Sequence, residues 1–397
     1  TLADVDHFII RVPAGVTENQ MSAFLMATGQ YEYAEPNWRV FPTVVPNDPS
    51  YGSQYAHQRV QSEPAWDLIQ GNTSVIVAIT DTGFQMDHQD LIANIVPGAN
   101  SASGTAVAQS AGGQVNDLNG HGTHCAGIAG ATGNNGVGVA GMGWTNRLMP
   151  VRVSNSSGGS SSIAALQAGA LWAAQNGARV VNTSYSGVNT ASNNTVGGTM
   201  LNTHNSLWFW AAGNAASNLG ADNYPNVIIV SSTTSTDVRA GTSNFGALID
   251  IAAPGDAILS TFRGSSTAYQ TLSGTSMASP AAAGIAGMIL ALNPALTATQ
   301  VRTILFNNAD DIGPAGEDNE FGIGRANSGR AIADAYRISF PSSLPFADDF
   351  ESGAFANARW VFRSTGTSVS TAAVAEPSGT RSAAINSARR IETNAIN

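Results

Sequence analysis

The chain has 397 residues, of which 43% are hydrophobic and only 11% are charged, and its formal net charge is −10. All 17 basic residues are arginines, and an acidic protein without a basic cluster is poorly suited to nucleic-acid binding. No run of 18 apolar residues occurs, so we expect no membrane span, and the single cysteine, Cys125, excludes an internal disulfide.

The first 43 residues predict a strand, a helix and a second strand. The segments are HFIIRV (7–12), TENQMSAFLMATG (17–29, with Thr17 as the N-cap) and YEYAEPNWRVF (31–41). They indicate a small α+β module over 1–43, too short to hold a large core by itself. The following stretch, 44–63, is rich in proline and polar residues, which favours a linker or an extended surface segment.

Residues 64–338 alternate short apolar strands with helical stretches. We expect strands at 74–80, 147–153, 179–186, 207–214, 227–233 and 249–254, and helices at 121–132, 162–177, 278–293 and 298–309. Continuous apolar strands between helices are typical of a parallel sheet covered on both faces, so we predict a three-layer α/β domain. In such a sheet, catalytic groups gather beyond the carboxyl ends of the strands.

Residues 339–397 have strand-like alternation and turn residues but no helix signal. They predict a short β-type segment, which is small for a complete sandwich.

One glycine motif, GVGVAG at 136–141, matches a dinucleotide-binding pattern. That pattern needs a preceding strand, a following helix and an acidic residue about 20 positions later. Here a helical stretch precedes the glycines, and no Asp or Glu occurs between Leu118 and Ala221. The motif is better interpreted as a tight loop, which argues against a nucleotide-dependent oxidoreductase.

Three separate stretches carry groups suited to acyl transfer. AITDTG places Asp81 just after a predicted strand, and NGHGTHCAG offers His121 and His124 at the start of a helix. LSGTSMASP offers three serines, Ser273, Ser276 and Ser279. A serine hydroxyl becomes a useful nucleophile when an imidazole takes its proton and a carboxylate orients that imidazole. Singly these residues would be turn, cap or packing residues, but together they predict acyl-transfer chemistry.

The stretches DTG, HGTH, AAGN and GTSMASP resemble the signature stretches of the subtilisin-like serine proteases, or subtilases, in the same order over about 46–338. HGTHC and PNDPSYGSQ are similar to the thermitase and proteinase K groups of that family. The resemblance implies a subtilisin-like fold over 64–338 and a secreted, monomeric endopeptidase acting on proteins or peptides. A non-catalytic binding or adhesion protein on the same scaffold is the alternative.

The resemblance also implies roles for single residues. Asp81 orients His121, which acts as general base and then general acid for the nucleophile Ser276. Asn214 donates, together with the Ser276 N–H, to the developing oxyanion. His124 and Cys125 are expected to be packing residues.

Two further stretches, NTSYSG and WAAGN, resemble the family's backbone rails for an extended substrate. One wall of the primary pocket would comprise Ser184, Tyr185 and Ser186, and the other Ala211, Ala212 and Gly213. Ala215 follows Asn214, so no charge is evident there, and we expect a large apolar residue on the acyl side of the cleaved bond.

The loop GNNGVGVAG, 133–141, resembles the family's calcium loop. The implied ligands of a structural Ca²⁺ are the side chains of Asp48, Asp90 and Asn135 and the carbonyls of Gly133, Val137 and Val139. A loop closed by its own hydrogen bonds, with Asp48 as a turn residue, is the alternative.

The stretch YEYAEPNWRV, 31–40, resembles the last strand of a subtilase propeptide. Residues 1–43 would then be an intramolecular inhibitor, cleaved near Phe41 to Val45. A permanent accessory domain is the competing interpretation.

Overall fold

The computed structural model describes residues 7–10, 12, 18–31, 34–37, 44–220, 222–340, 360–363, 382–386 and 390–393. Contacts divide the chain into a large unit, 43–335, and a small unit that combines 1–42 with 336–397. Thr17 and the segment around Phe41 lie outside the described residues, so the predicted cap and cleavage point stay predictions.

The small unit contains the predicted strand, helix and strand as β1 (His7–Ile10), α1 (Glu18–Ala27) and β2 (Ala34–Asn37). The sequence suggests that the two termini form separate segments, whereas here they share a sheet. β14 (Ser382–Asn386) lies between β1 and β2 and is antiparallel to both. Two further strands among the described residues of this unit, β13 (Trp360–Arg363) and β15 (Arg390–Thr393), form an antiparallel pair.

The large unit is built on an eight-stranded sheet with the strand order β10-β9-β8-β7-β3-β6-β4-β5. All adjacent pairs are parallel except β4–β5. The strands are β3 (Ile76–Asp81), β4 (Ala99–Asn100), β5 (Val107–Ala108), β6 (Arg147–Arg152), β7 (Val180–Thr183), β8 (Leu207–Ala211), β9 (Ile228–Thr233) and β10 (Ile251–Pro254). Six of these were expected from the sequence; β4 and β5 have two residues each, too few to produce a periodic signal.

Helices cover both faces of this sheet, which confirms the three-layer α/β prediction. Alternate side chains of β3 enter opposite cores, since Val77 and Ile79 join one buried cluster and Ala78 the other. The helices are α2 (Tyr55–Arg59), α3 (Ser62–Trp66), α4 (His121–Gly130), α5 (Ile163–Gln175), α6 (Ala191–His204), α7 (Thr275–Leu292), α8 (Ala298–Asn307) and α9 (Ser328–Ser339). The first cluster holds residues of α4, α7 and α8, and the second holds residues of α5 and α6. A two-stranded hairpin, β11 (Ile258–Thr261) and β12 (Tyr269–Leu272), precedes α7.

Helix α7 is the central helix of the first core. Its composition would allow it to span a membrane, but 89% of the helix is buried in the protein. Alanines and glycines make up much of its length, and small side chains let neighbouring elements approach closely: a Cβ on Gly284 would lie 2.7 Å from that of Met142. It begins three residues before the predicted start, and so includes Ser276.

Residues 44–63 differ from the predicted linker because they contain α2 and the start of α3 and contribute buried side chains.

His57, in α2, is one of these buried side chains: it is 3% exposed, and its ring centroid lies 4.9 Å from that of Trp66. Its Nε2–H donates to the Ala140 carbonyl at 2.9 Å, so Nδ1 accepts from the Ser62 hydroxyl, also at 2.9 Å. Burial lowers the pKa of His57 to about 4, so the ring is neutral in the folded protein near neutral pH.

Replacement of His57 should make the stability of the protein less sensitive to acid. In the unfolded chain a histidine binds its proton below about pH 6.5, whereas folded His57 does so only near pH 4, so wild-type stability falls across this window, by about 3 kcal/mol from this residue. His57→Gln removes that loss. Urea unfolding, with Ser276→Ala in both proteins to prevent self-cleavage, should show a pH slope shallower by up to about 1.4 kcal/mol per unit between pH 6.5 and 4. Above pH 7 the two curves should run parallel, and equal slopes below pH 6.5 would contradict the assignment.

Candidate active site

A cleft of about 460 Å³ opens at the carboxyl edge of the central sheet. Asp81 ends β3, His121 begins α4, and Ser276 is the second residue of α7. The described residues that line the cleft are Thr82, Asn119, His121, Gly158, Gly159, Ser184, Tyr185, Ser186, Gly213, Asn214, Ala215, Asn244, Thr275 and Ser276. The edge of the sheet thus brings together groups that are far apart in the chain, as expected for a parallel sheet.

The imidazole of His121 is oriented by the carboxylate of Asp81. Its Nδ1–H donates to Asp81 Oδ1 at 2.8 Å, which leaves Nε2 as the proton acceptor. The same oxygen accepts the Thr82 N–H at 2.7 Å, and the Asp81 side chain is fully buried. Burial by itself would lower the pKa of His121, but the charge and hydrogen bond of Asp81, together with the neighbouring Cys125, outweigh burial and raise that pKa well above 6.5.

The start of helix α4 is held by a side chain from the preceding loop. The formal N-cap, Gly120, adopts φ +113° and offers no capping side chain. Asp117 caps instead: its Oδ1 accepts the N–H groups of Asn119 and Gly120, both at 2.8 Å, and its Oδ2 accepts the Thr123 N–H at 3.0 Å. Because these bonds fix the first turn of the helix, they also fix the backbone of His121.

Ser276 sits in the first turn of α7, and its carbonyl is held by side chains rather than by the helix. Pro280 has no N–H, so the Ser276 carbonyl lacks its intrahelical donor. It accepts from Ser184 Oγ at 2.9 Å and from Cys125 Sγ at 3.3 Å. The Ser276 hydroxyl itself donates to the Ser184 carbonyl at 3.3 Å, and the residue is 8% exposed.

The other two serines of this stretch are engaged elsewhere and do not line the cleft. Ser279 is fully buried and its hydroxyl donates to Asn182 Oδ1 at 2.6 Å. The Ser273 hydroxyl accepts the Ala257 N–H at 2.8 Å.

Asn214 presents its amide at the exposed mouth of the cleft. Its Oδ1 accepts from Thr275 twice, from the N–H at 2.9 Å and from the hydroxyl at 3.0 Å. This pair of bonds fixes the orientation of the amide and leaves the Nδ2 group free to donate to a ligand.

The predicted walls are only partly present. Ser184, Tyr185, Ser186 and Gly213 line the cleft, whereas Ala211 and Ala212 are each 1% exposed and pack inside the protein. Ala211 is the last residue of β8, and the Ala212 N–H bonds to Val230 O on the neighbouring strand, so both belong to the sheet.

Glycines 158 and 159 line the cleft and were missed by the sequence analysis, because a run of glycine and serine carries no periodic signal. The Tyr185 hydroxyl donates to the Gly159 carbonyl at 2.7 Å and so joins the two sides of the cleft.

His124 and Cys125 are packed as the sequence predicts. Both are fully buried, and His124 Nε2 lies 3.1 and 2.9 Å from the carbonyls of Ile258 and Gln270. Burial lowers the pKa of His124 to about 4, so that ring is neutral near pH 7, and burial raises the pKa of the Cys125 thiol. A thiol in that state is a poor nucleophile.

The loop 133–141 brings the predicted side-chain ligands of calcium together. Asp90 accepts Asn135 Nδ2 at 2.9 Å and the Val139 N–H at 3.0 Å, and Asp48 accepts the Asn134 N–H at 2.6 Å. Of the other predicted ligands, Gly133 lies against Trp144: a Cβ on it would come 2.4 Å from the indole nitrogen. The Val137 N–H donates to Asn135 Oδ1 at 2.9 Å.

A buried carboxylate bonded to a histidine, with a serine and an asparagine in the same cleft, is an arrangement typical of serine hydrolases of the Asp-His-Ser type. A model of the subtilase family matches residues 72–324. The chain therefore belongs to the subtilase family of serine endopeptidases.

Individual proteins agree with this assignment. The chain is 38% identical to thermitase of Thermoactinomyces vulgaris over 299 residues, which cover 72% of this chain and 99% of thermitase. It is 35% identical to a halolysin-like extracellular serine protease of Natrialba magadii over 334 residues, 81% of this chain and 60% of that protein. Among solved structures, a protease of Pseudoalteromonas arctica PAMC 21717 matches with a TM-score of 0.64 and 29% identity, covering 74% of this chain and all of that one.

Replacement of Asp81 by asparagine should lower kcat/KM by about 10⁴-fold, because an amide can hold the imidazole in the wrong tautomer. Loss of the negative charge should also lower the pKa of His121, so the acidic limb of the residual activity should move to lower pH. The measurement is kcat/KM on a chromogenic peptide between pH 4 and 11. Asp87→Asn, which changes an exposed carboxylate outside the cleft, is the control and should leave both quantities unchanged. An unshifted acidic limb in Asp81→Asn would contradict the electrostatic role.

Proposed function

We propose that this chain hydrolyses peptide bonds through an acyl-enzyme formed on Ser276. The observation that carries the proposal is the 2.8 Å hydrogen bond from His121 Nδ1 to buried Asp81, in a cleft that also exposes Ser276 and Asn214. His121 Nε2 takes the hydroxyl proton as Ser276 Oγ attacks the substrate carbonyl, and then gives the proton to the leaving amine. Water repeats the sequence on the ester, releasing the acid and restoring Ser276.

The negative charge that develops on the substrate carbonyl oxygen would be received by two donors, the Ser276 N–H and Asn214 Nδ2. The Ser276 N–H lies in the first turn of α7, where amide groups have no intrahelical acceptor. Thr275 donates twice to Asn214 Oδ1, which orients the amide and leaves Nδ2 available to a ligand. Both donors are therefore oriented before the substrate arrives, which is the condition for effective transition-state stabilisation.

The substrate would bind as an extended strand along residues 184–186, pairing through its main chain. His121 is the one ionisable side chain besides Tyr185 among the described residues that line the cleft, and the other lining residues are small or uncharged. We infer a preference for a large apolar side chain on the acyl side of the cleaved bond, and the lack of a carboxylate or arginine side chain among the described lining residues supports it.

The enzyme would act outside the cell, in common with the extracellular protease of Natrialba magadii that it resembles. Residues 1–43 would serve as its intramolecular inhibitor, a proposal supported by the likeness of YEYAEPNWRV to a propeptide strand.

A fluorophosphonate probe should label the wild-type chain and should fail to label Ser276→Ala. Loss of the nucleophile should reduce kcat on casein or a peptide library by about 10⁶-fold, a magnitude known for subtilisin, a member of the same family. Ser273→Ala is the matched control, since its hydroxyl bonds Ala257 outside the cleft, and it should keep both labelling and activity. A folded wild-type protein that stays unlabelled once residues 1–43 are removed would favour the non-catalytic alternative.

The second part of the proposal is a structural calcium ion at the loop 133–141. Asp48 and Asp90 are 4% and 0% exposed, and no basic side chain among the described residues forms an ion pair with either. Burial raises the pKa of Asp48, and the nearby charge of Asp90 adds to this effect. Buried carboxylates without a counter-charge are costly, so a hard divalent cation fits this donor set.

The oxygens of Asp48, Asp90 and Asn135 would hold the ion, with loop carbonyls of Gly133, Val137 and Val139 completing the shell. Calcium would stabilise the loop and take no part in the chemistry.

Removal of calcium by EDTA should lower the Tm of the protein. At a calcium concentration of 100 Kd the bound ion contributes about 2.7 kcal/mol to folding, all of which EDTA removes. Asp48→Asn should weaken the site, so its Tm should depend much less on EDTA, whereas Asp87→Asn should respond as the wild type does. A wild-type Tm that is identical with calcium and with EDTA would refute the site.

A further inference from the structure

A second asparagine, Asn244, borders the same cleft and has no part in the chemistry proposed above. It lies between β9 and β10, and it is 8% exposed. Ser243 connects the backbone of Asn244 to strand β9. The Ser243 Oγ donates to the Asn244 carbonyl at 3.0 Å and accepts the Ser232 N–H of β9 at 3.1 Å.

Asn244 holds the chain on the N-terminal side of Asn214. Its backbone N–H donates to the Gly213 carbonyl at 2.9 Å, and its Nδ2 donates to the Ala212 carbonyl, also at 2.9 Å. Gly213 has φ +100°, and a Cβ there would lie 2.6 Å from Asn244 Nδ2. The amide therefore occupies the space that a side chain at 213 would need.

The same side chain holds the chain on the C-terminal side of Asn214. Asn244 Oδ1 accepts the N–H groups of Ala215 and Ser217, both at 3.0 Å. One amide thus spans both flanks of Asn214 and satisfies three backbone groups, while its own backbone satisfies a fourth.

We propose that Asn244 is a positioning residue for the oxyanion hole: it holds residues 212–217 in the conformation that points Asn214 Nδ2 at the developing oxyanion. The inference rests on the proposed role of Asn214 as a donor. Oxyanion donors act within a narrow distance range of about 2.7–3.1 Å, and a displacement of about 1 Å can cost about 10²-fold in rate. Truncation at Asn244 leaves the N–H groups of Ala215 and Ser217 without their acceptor, so the loop loses its fixed conformation.

A double-mutant cycle on the full chain tests this inference. Asn214→Ala should lower kcat by about 10²–10³-fold, a range established in the same family. Asn244→Ala should lower kcat by about 10- to 100-fold with KM within about twofold of the wild type. If Asn244 acts through Asn214, the double variant should lie within about twofold of Asn214→Ala.

Asn327→Ala is the matched control. Asn327 is fully buried and bonds Asp310 and the Arg330 N–H, none of which lines the cleft. Asn327→Ala should lower Tm, because it removes a buried, hydrogen-bonded side chain, and it should leave kcat near the wild-type value. This control separates a general loss of stability from misplacement of Asn214 Nδ2.

The inference is overturned if Asn244→Ala has wild-type kcat, or if it lowers kcat by the same factor in the wild-type and Asn214→Ala backgrounds. An Asn214→Ala variant with wild-type kcat would instead overturn the proposed donor, and the inference with it. If Asn244→Ala does not fold, Asn244→Ser carries the same cycle, because its shorter hydroxyl cannot reach both flanks of Asn214 at once.

Discussion

The hydrogen bond between His121 and the buried carboxylate of Asp81 is the interaction on which the rest of the cleft depends. A carboxylate with no exposure is costly unless it is paired, and this one is paired with the imidazole and with the Thr82 N–H. The bond needs the end of a central strand and the start of a helix at one place, and the parallel sheet brings them there. In the neutral ring this bond places the proton on Nδ1 and leaves Nε2 unprotonated.

The two helices that carry the histidine and the serine are both held at their first turns by other elements. Neither α4 nor α7 has a capping side chain of its own, since glycines precede both. Asp117 supplies acceptors for the first turn of α4, and Asn214 supplies one for the first turn of α7 through the Thr275 N–H. The backbones of His121 and Ser276 are therefore held in helical turns that are anchored by side chains from other segments.

Pro280 and Asn244 both affect the hydrogen bonding of residues that line the cleft. The proline removes one helical hydrogen bond and so leaves the Ser276 carbonyl available to Ser184 and Cys125. Asn244 connects the sheet to both flanks of Asn214. In each case the residue changes the hydrogen bonding of a neighbouring residue that lines the cleft.

The sequence by itself determined the class of chemistry and most of the sheet. DTG, HGTH and GTSMASP are short local motifs that can be recognised without the fold. Apolar runs such as 74–80 and 227–233 form strands because a strand that is buried on both faces of a sheet needs apolar residues throughout. Only the tertiary structure decided that 44–63 packs against the core, and that Ala211 and Ala212 lie inside the sheet. It also decided the contacts of Asn244, whose partners lie about thirty residues away. Periodicity and backbone preference are local properties, so they predict helices, strands and turns. They do not predict which distant segments come into contact, and contacts of that kind determine the geometry of this cleft.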